Sequence, residues 1–240
     1  LPRTLSHPVR SRFAAALAPA FFLVAIVFGE NQRRIGRRHD VSLDLHRQMG
    51  SNLGDYSPGV GFPDLSPVGV VHSDKGFIGT GTLLSPTIVV TAAHVLRGSN
   101  RAAAPDASDW SFSLGSDYEE ASAIHAVSEI ILHDGWISRL PYENGIGDGD
   151  LLGVDLALLR LKEPVNNIAP ARFNDGASES IGSRLVLSGY GNLAQGREGV
   201  TQLDNVERLA GENTLDRVVE TVNAPQVPSA YRGGLLGVDF

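Results

Sequence analysis

The chain of 240 residues contains no cysteine, one methionine and only two lysines, Lys75 and Lys162. Without cysteine there is no disulfide framework, no thiolate-bound zinc or iron–sulfur site and no thiol nucleophile. Zinc through histidine finds no support either, because no His-Glu-x-x-His or other paired-His spacing occurs. The scarcity of lysine against 20 basic residues in total is read as a bias of the genome. Gly (27) and Pro (13) are too few for a disordered or collagen-like chain, and 42% hydrophobic residues suffice for a core. The length fits one large domain or two small ones.

Positive charge is also missing from most of the chain. Residues 1–47 carry eight Arg against Glu30, Asp40 and Asp44, whereas residues 48–240 carry 12 basic against 24 acidic groups. An acidic body excludes nucleic acid as a partner, because phosphate binding needs clustered positive charge.

The basic end leads into one uncharged stretch, FAAALAPAFFLVAIVFG (13–29). Its 17 residues lie between the h-region of a signal peptide and the roughly 20 needed to span a bilayer. Val27 and Gly29 suit the −3 and −1 places of a cleavage site, while Arg33, Arg34, Arg37 and Arg38 follow at once and oppose translocation. Residues 1–29 are therefore read as a signal peptide or a membrane anchor; a soluble core helix is rarely apolar on all faces. The body is expected outside the cytoplasm, secreted or periplasmic, and a membrane contact only if the segment stays uncleaved. Residues 30–65, polar and rich in Gly, Pro and Asp, read as a linker or pro-segment.

Beyond residue 66, short β-branched runs alternate with turn residues: VGVVH (68–72), GTLLS (81–85), TIVVTAA (87–93), WSFSLG (110–115), AIHAVSEIIL (123–132), DLALLRL (155–161), RLVLSGYG (184–191) and DRVVETV (216–222). Their lengths and Gly/Asp/Pro/Ser boundaries predict an all-β, antiparallel sandwich or barrel. Only VERLAGE (206–212) carries a trace of helical period.

Two segments go beyond pattern. GTGTLLSPTIVVTAAHVL (79–96) ends a strand at Thr91-Ala92-Ala93-His94, and GVDLALLRL (153–161) opens an apolar strand with Asp155. A carboxylate leading into LALLRL is costly to bury without a partner, and a His beside a packed Ala-Ala pair fits that role. Together they resemble the His and Asp of a trypsin-like serine protease. IILHDGW (130–136) resembles the family's His-Pro-x-Tyr stretch, LSGYGN (187–192) its Gly-Trp-Gly strand with Tyr190 for Trp, and LAGENTLD (209–216) and GVDF segments of its bacterial members.

The resemblance, over residues 66–240, implies a double antiparallel β-barrel and hydrolysis of peptide bonds in proteins. His94 is then the general base and Asp155 the residue that orients it, with a protein or peptide as substrate and no cofactor. The family often joins the residue after the His to the preceding strand by a disulfide; the matching places are Val95 and Gly79, both non-cysteine. The family's nucleophile stands in Gly-Asp-Ser-Gly-Gly, which does not occur in residues 1–240, nor does Gly-x-Ser-x-Gly. In family order it follows segments like GVDF, so the nucleophile is expected beyond Phe240, the second barrel is expected to be incomplete, and residues 1–240 alone are expected to be inactive. No Ile-Val-Gly-Gly start follows a basic site, so the mode of activation is open.

Other titratable residues read differently. His72 and His125 are expected on strand surfaces, and His133 in a structural place. Asp148 and Asp150 compete weakly with Asp155, because no strand follows them. Asp117, Glu119 and Glu120 form an acidic loop in a region where the family sometimes binds calcium; a solvated loop is the preferred reading over a structural calcium site. Two alternatives stand beside the leading one: an HtrA-type protease, and a non-catalytic homologue that uses the scaffold for binding.

Overall fold

The structure, a computed structural model, describes residues 35–36, 41–51, 63–76, 78–97, 105–121, 123–138, 153–174, 180–191, 193–195, 199–201, 206–220 and 234–237. The apolar stretch 13–29 and the acidic turn at Asp148 and Asp150 lie outside them. Among the described residues, no helix is long and apolar enough to cross a membrane.

In chain order the elements are β1 (Ile35–Gly36), α1 (Leu43–Ser51), β2 (Val68–Ser73), β3 (Ile78–Ser85), β4 (Ile88–Thr91), α2 (Ala93–Arg97), β5 (Trp110–Leu114), β6 (Ala123–Leu132), α3 (Asp134–Ser138), β7 (Ala157–Leu161), β8 (Arg184–Tyr190), β9 (Leu193–Gln195), β10 (Gly199–Thr201), β11 (Arg208–Thr214), β12 (Arg217–Glu220) and β13 (Gly234–Gly237). The chain is mostly β, as the strand runs predicted. Six strands close a barrel in the order β2-β3-β4-β7-β6-β5, with every pair antiparallel.

Alternation drives the closure. On β7, Ala157, Leu159 and Leu161 point inward and are buried, while Arg160 points out and pairs with Glu129 of β6 at 2.8 Å. Val71, Leu83, Val89, Phe112, Leu114 and Val127 meet them inside, and Trp110 and Trp136 belong to the same buried cluster. A side chain of this size buried in full contributes roughly 1.5–3 kcal/mol, so the barrel interior is the main stabilising unit.

Outside the barrel, β8 and β11 form an antiparallel pair, and β12 pairs with β13. A second apolar cluster joins the β8–β11 pair to the barrel through Val68, Val70, Leu65, Met49, Tyr190 and Ala210. Tyr190 is fully buried; its hydroxyl donates to the Val68 carbonyl at 3.3 Å and to the Gly115 carbonyl, and its N–H donates to Thr80 Oγ1 at 2.9 Å.

Two findings differ from the expectations. VERLAGE is strand, not helix, over most of its length: Arg208, Leu209 and Ala210 are buried and register against Tyr190, Gly189 and Ser188, and this pairing overrides the weak helical period. Residues 30–65 contain the nine-residue helix α1, packed on β11 with Met49 and Gly50 buried.

Candidate active site

The register of two barrel strands brings the two sequence-predicted residues together. Thr91, the last residue of β4, lies opposite Ala157, the first of β7. His94 follows Thr91 by three residues and Asp155 precedes Ala157 by two, so both emerge at the same end of the barrel despite 61 intervening positions.

The strand end is built to hold the histidine. Thr91 is fully buried and its hydroxyl donates to the Thr80 carbonyl at 2.8 Å. Ala92 and Ala93 are buried where the chain turns from β4 into α2. Val95 and Leu96 then enter the core, which leaves His94 as the side chain of this turn that faces away from it.

Asp155 is fixed by its neighbours on both sides. The Leu156 N–H donates to the Val154 carbonyl at 2.8 Å, closing a three-residue turn centred on Asp155. Val154 is fully buried and packs against Gly135 of α3. The His133 N–H donates to the Leu156 carbonyl at 3.0 Å and so ties the end of β6 to this turn. Sequence reasoning missed this positioning contact, because a main-chain bond leaves no mark in residue type.

The two side chains make a two-point contact. Asp155 Oδ2 lies 2.6 Å from His94 Nδ1, and Oδ1 accepts the His94 backbone N–H at 2.9 Å. With the carboxylate ionised, Nδ1 carries the proton and donates it, which leaves Nε2 as the basic nitrogen. The aspartate side chain is 9% exposed and the imidazole 19%, so the carboxylate is the more buried of the two. An imidazole held in this tautomer beside a buried carboxylate can take up a proton at Nε2 and share the resulting charge.

The other candidates lie elsewhere. His133 precedes α3; its Nδ1 accepts the Gly135 N–H at 3.0 Å, and burial lowers its pKa against the opposing pull of Asp134. His72, on β2, is half-buried, with Nε2 2.8 Å from Ser113 Oγ and its ring edge-on to Tyr118 at 5.1 Å. Burial lowers the pKa of His72, opposed by Asp74, and that of His125 on β6. Asp117 accepts the Glu119 N–H at 2.9 Å and its backbone bridges to Glu207. Among the described residues no group of three or more His, Asp or Glu side chains is placed to hold a metal ion.

The family model for trypsin matches residues 64–224. The chain belongs to the trypsin family. A curated relative, the thrombin-like enzyme acutin of Deinagkistrodon acutus, is 28% identical over 172 residues, which cover 69% of this chain and 62% of the relative. The match thus spans less than two thirds of the length of that relative. A similar solved structure is an inactivated protease paralogue of the scabies mite, at 18% identity and a TM-score of 0.47, covering 64% of this chain and 62% of that one. The trypsin-family match contains both His94 and Asp155 as well as all six strands of the closed barrel.

Proposed function

We propose that this chain is part of an exported serine endopeptidase that hydrolyses peptide bonds in proteins. The observation that carries the reading is the two-point contact between His94 and Asp155, in which each carboxylate oxygen takes one N–H of the same histidine. His94 acts as general base through Nε2 and accepts the proton of a serine hydroxyl as that oxygen attacks the scissile carbonyl. The same nitrogen then returns the proton to the leaving amine. Asp155 holds the tautomer and stabilises the imidazolium formed on the way.

The nucleophile is supplied by a Gly-Asp-Ser-Gly-Gly segment beyond Phe240, together with the backbone N–H groups that stabilise the oxyanion. Export rests on the uncharged stretch 13–29 behind Arg3, Arg10 and Arg12. The experiment is to read the frame through and past the codon for Phe240. Continuation into Gly-Asp-Ser-Gly-Gly is the expected result. A stop, or another residue in the place of that serine, overturns the hydrolase reading and leaves a non-catalytic trypsin-family binding protein.

A further inference from the structure

Helix α1 precedes the segment that matches the trypsin family, yet it is joined to the body at several points. Ser42 caps it, with Oγ accepting the Leu45 N–H at 3.2 Å. Leu45 and Met49, one turn apart, pack into the cluster of Leu65, Val68, Val70, Tyr190 and Ala210, and Met49 is 3% exposed. Arg47 Nε donates to Glu207 Oε1 at 2.6 Å.

The helix lies along the edge of β11 that faces away from β8. On that edge the Arg208 N–H donates to the Ser116 carbonyl at 2.7 Å and the Val206 carbonyl accepts the Tyr118 N–H at 2.9 Å. His46 continues the series, its Nδ1 donating to the Ala210 carbonyl at 2.8 Å. Gly50 ends the contact: a Cβ there would fall on the Arg208 carbonyl and come within 2.7 Å of Leu209 Cα, so only glycine lets the helix come this close.

Arg208 joins the parts. It is 4% exposed, and its guanidinium donates to the Gly50 carbonyl at 2.6 Å, the Leu65 carbonyl at 2.7 Å and the Val68 carbonyl at 2.9 Å. One buried cation thereby links the end of α1, the approach to β2, and β11. Removing α1 would take away the Gly50 carbonyl that accepts from Arg208 Nε, bare the apolar face around Tyr190 and Ala210, and uncover a strand edge. The face that α1 covers is apolar, and baring it to water is unfavourable.

We propose that α1 is a permanent strap: residues 43–51 stay docked on β11 in the mature protein and hold the β8–β11 pair to β2 of the barrel, so that any processing of the N-terminus stops upstream of Ser42. The inference rests on these contacts alone and stands whether or not the protein is a protease.

Hydrogen–deuterium exchange on the full chain tests it. Amides in 43–51 and 208–214 are expected to be protected to the same order of magnitude, and Met49→Asp is expected to speed exchange in both by at least about tenfold, with Met49→Leu close to the parent. Free exchange of 43–51 beside a protected β11, or an unchanged β11 in Met49→Asp, overturns the proposal. The mass of the mature protein gives an independent reading: it is expected to include Leu43–Ser51, and a mature form that has lost them while β8 and β11 keep their protection contradicts the strap.

Discussion

Val95 fills the hole left by Gly79. Its Cγ1 stands 2.5 Å and its Cβ 3.2 Å from the point where a Gly79 Cβ would lie, so the two positions form one small contact between β3 and the turn that carries His94. The resemblance to the trypsin family had matched these two places to a disulfide. The contact is made here by an isopropyl group seated against a bare backbone.

Gly79→Ala should therefore strain the His94 turn. A methyl group forced into a filled core costs about 1–3 kcal/mol, which corresponds to a Tm drop of roughly 5 °C for a chain of this size. Val95→Ala in the same chain should recover part of the loss. The paired variant Gly79→Cys with Val95→Cys has its Cβ positions only a few tenths of an ångström short of disulfide geometry and is expected to oxidise. Closing that loop should add about 3 kcal/mol in the chain-entropy account. Thiol titration and melting with and without reductant are the measurements; two free thiols after oxidation would count against the contact.

Asp155→Asn should leave the fold intact and remove the function. An amide retains an oxygen to accept the His94 backbone N–H but reverses the preference of Nδ1, and in well-studied triads this change lowers kcat about 10⁴-fold. The expected result is an unchanged melting curve with peptide hydrolysis by the complete product reduced by about that factor. A loss of tenfold or less would place Asp155 outside the catalytic group.

How much of this was legible in sequence depends on what each contact is made of. β6 has the limits that its run AIHAVSEIIL predicted, and β2, β5, β7 and β8 lie within one or two residues of theirs, because side-chain alternation writes the barrel directly into the residues. The His94–Asp155 pair was legible because its flanking segments resemble the trypsin family's, and a carboxylate at the head of an apolar strand needs a partner. The helix α1 was not read, although Ser42, Asp44 and the Leu45–Met49 spacing are helix signals; nine residues in a Gly- and Pro-rich stretch give too short a period to stand out. Arg208 was hidden for a different reason. Its partners are three carbonyls, and main-chain acceptors have no sequence signature.

Tyr190 contributes to stability at alkaline pH. Burial, against a smaller opposing effect of the neighbouring Arg208, pushes its phenol up to about 12 from the ordinary 10. The unfolded chain loses this proton first, so the stabilisation is complete below pH 10 and is lost as pH rises toward 12. Two units correspond to about 3 kcal/mol. Tyr190→Phe should flatten the fall in Tm between pH 9 and 11, at the cost of the hydroxyl's bonds to the Val68 and Gly115 carbonyls. An identical alkaline slope in parent and variant would contradict the assignment.

The acid limit has the opposite sign. Burial lowers the pKa of His133, His72 and His125, so the folded chain resists protons that the unfolded chain accepts near pH 6.5. Their contribution to stability is full above pH 6.5 and declines as pH falls below it. His133→Asn keeps an acceptor for the Gly135 N–H and removes the titration. Its Tm should fall less than that of the parent between pH 7.5 and 5, and an equal fall would shift the acid sensitivity to other groups.

The most direct measurement of the central claim is labelling by a fluorophosphonate, which reacts with a serine only when a neighbouring base has activated it. The product of the full reading frame should take up one label, at a serine beyond Phe240, and His94→Ala or Asp155→Asn should abolish or slow that labelling while the fold is kept. Residues 1–240 alone should take up none. Labelling that persists unchanged in His94→Ala, or a full product that is never labelled, would contradict the account of His94 and Asp155 as a catalytic pair.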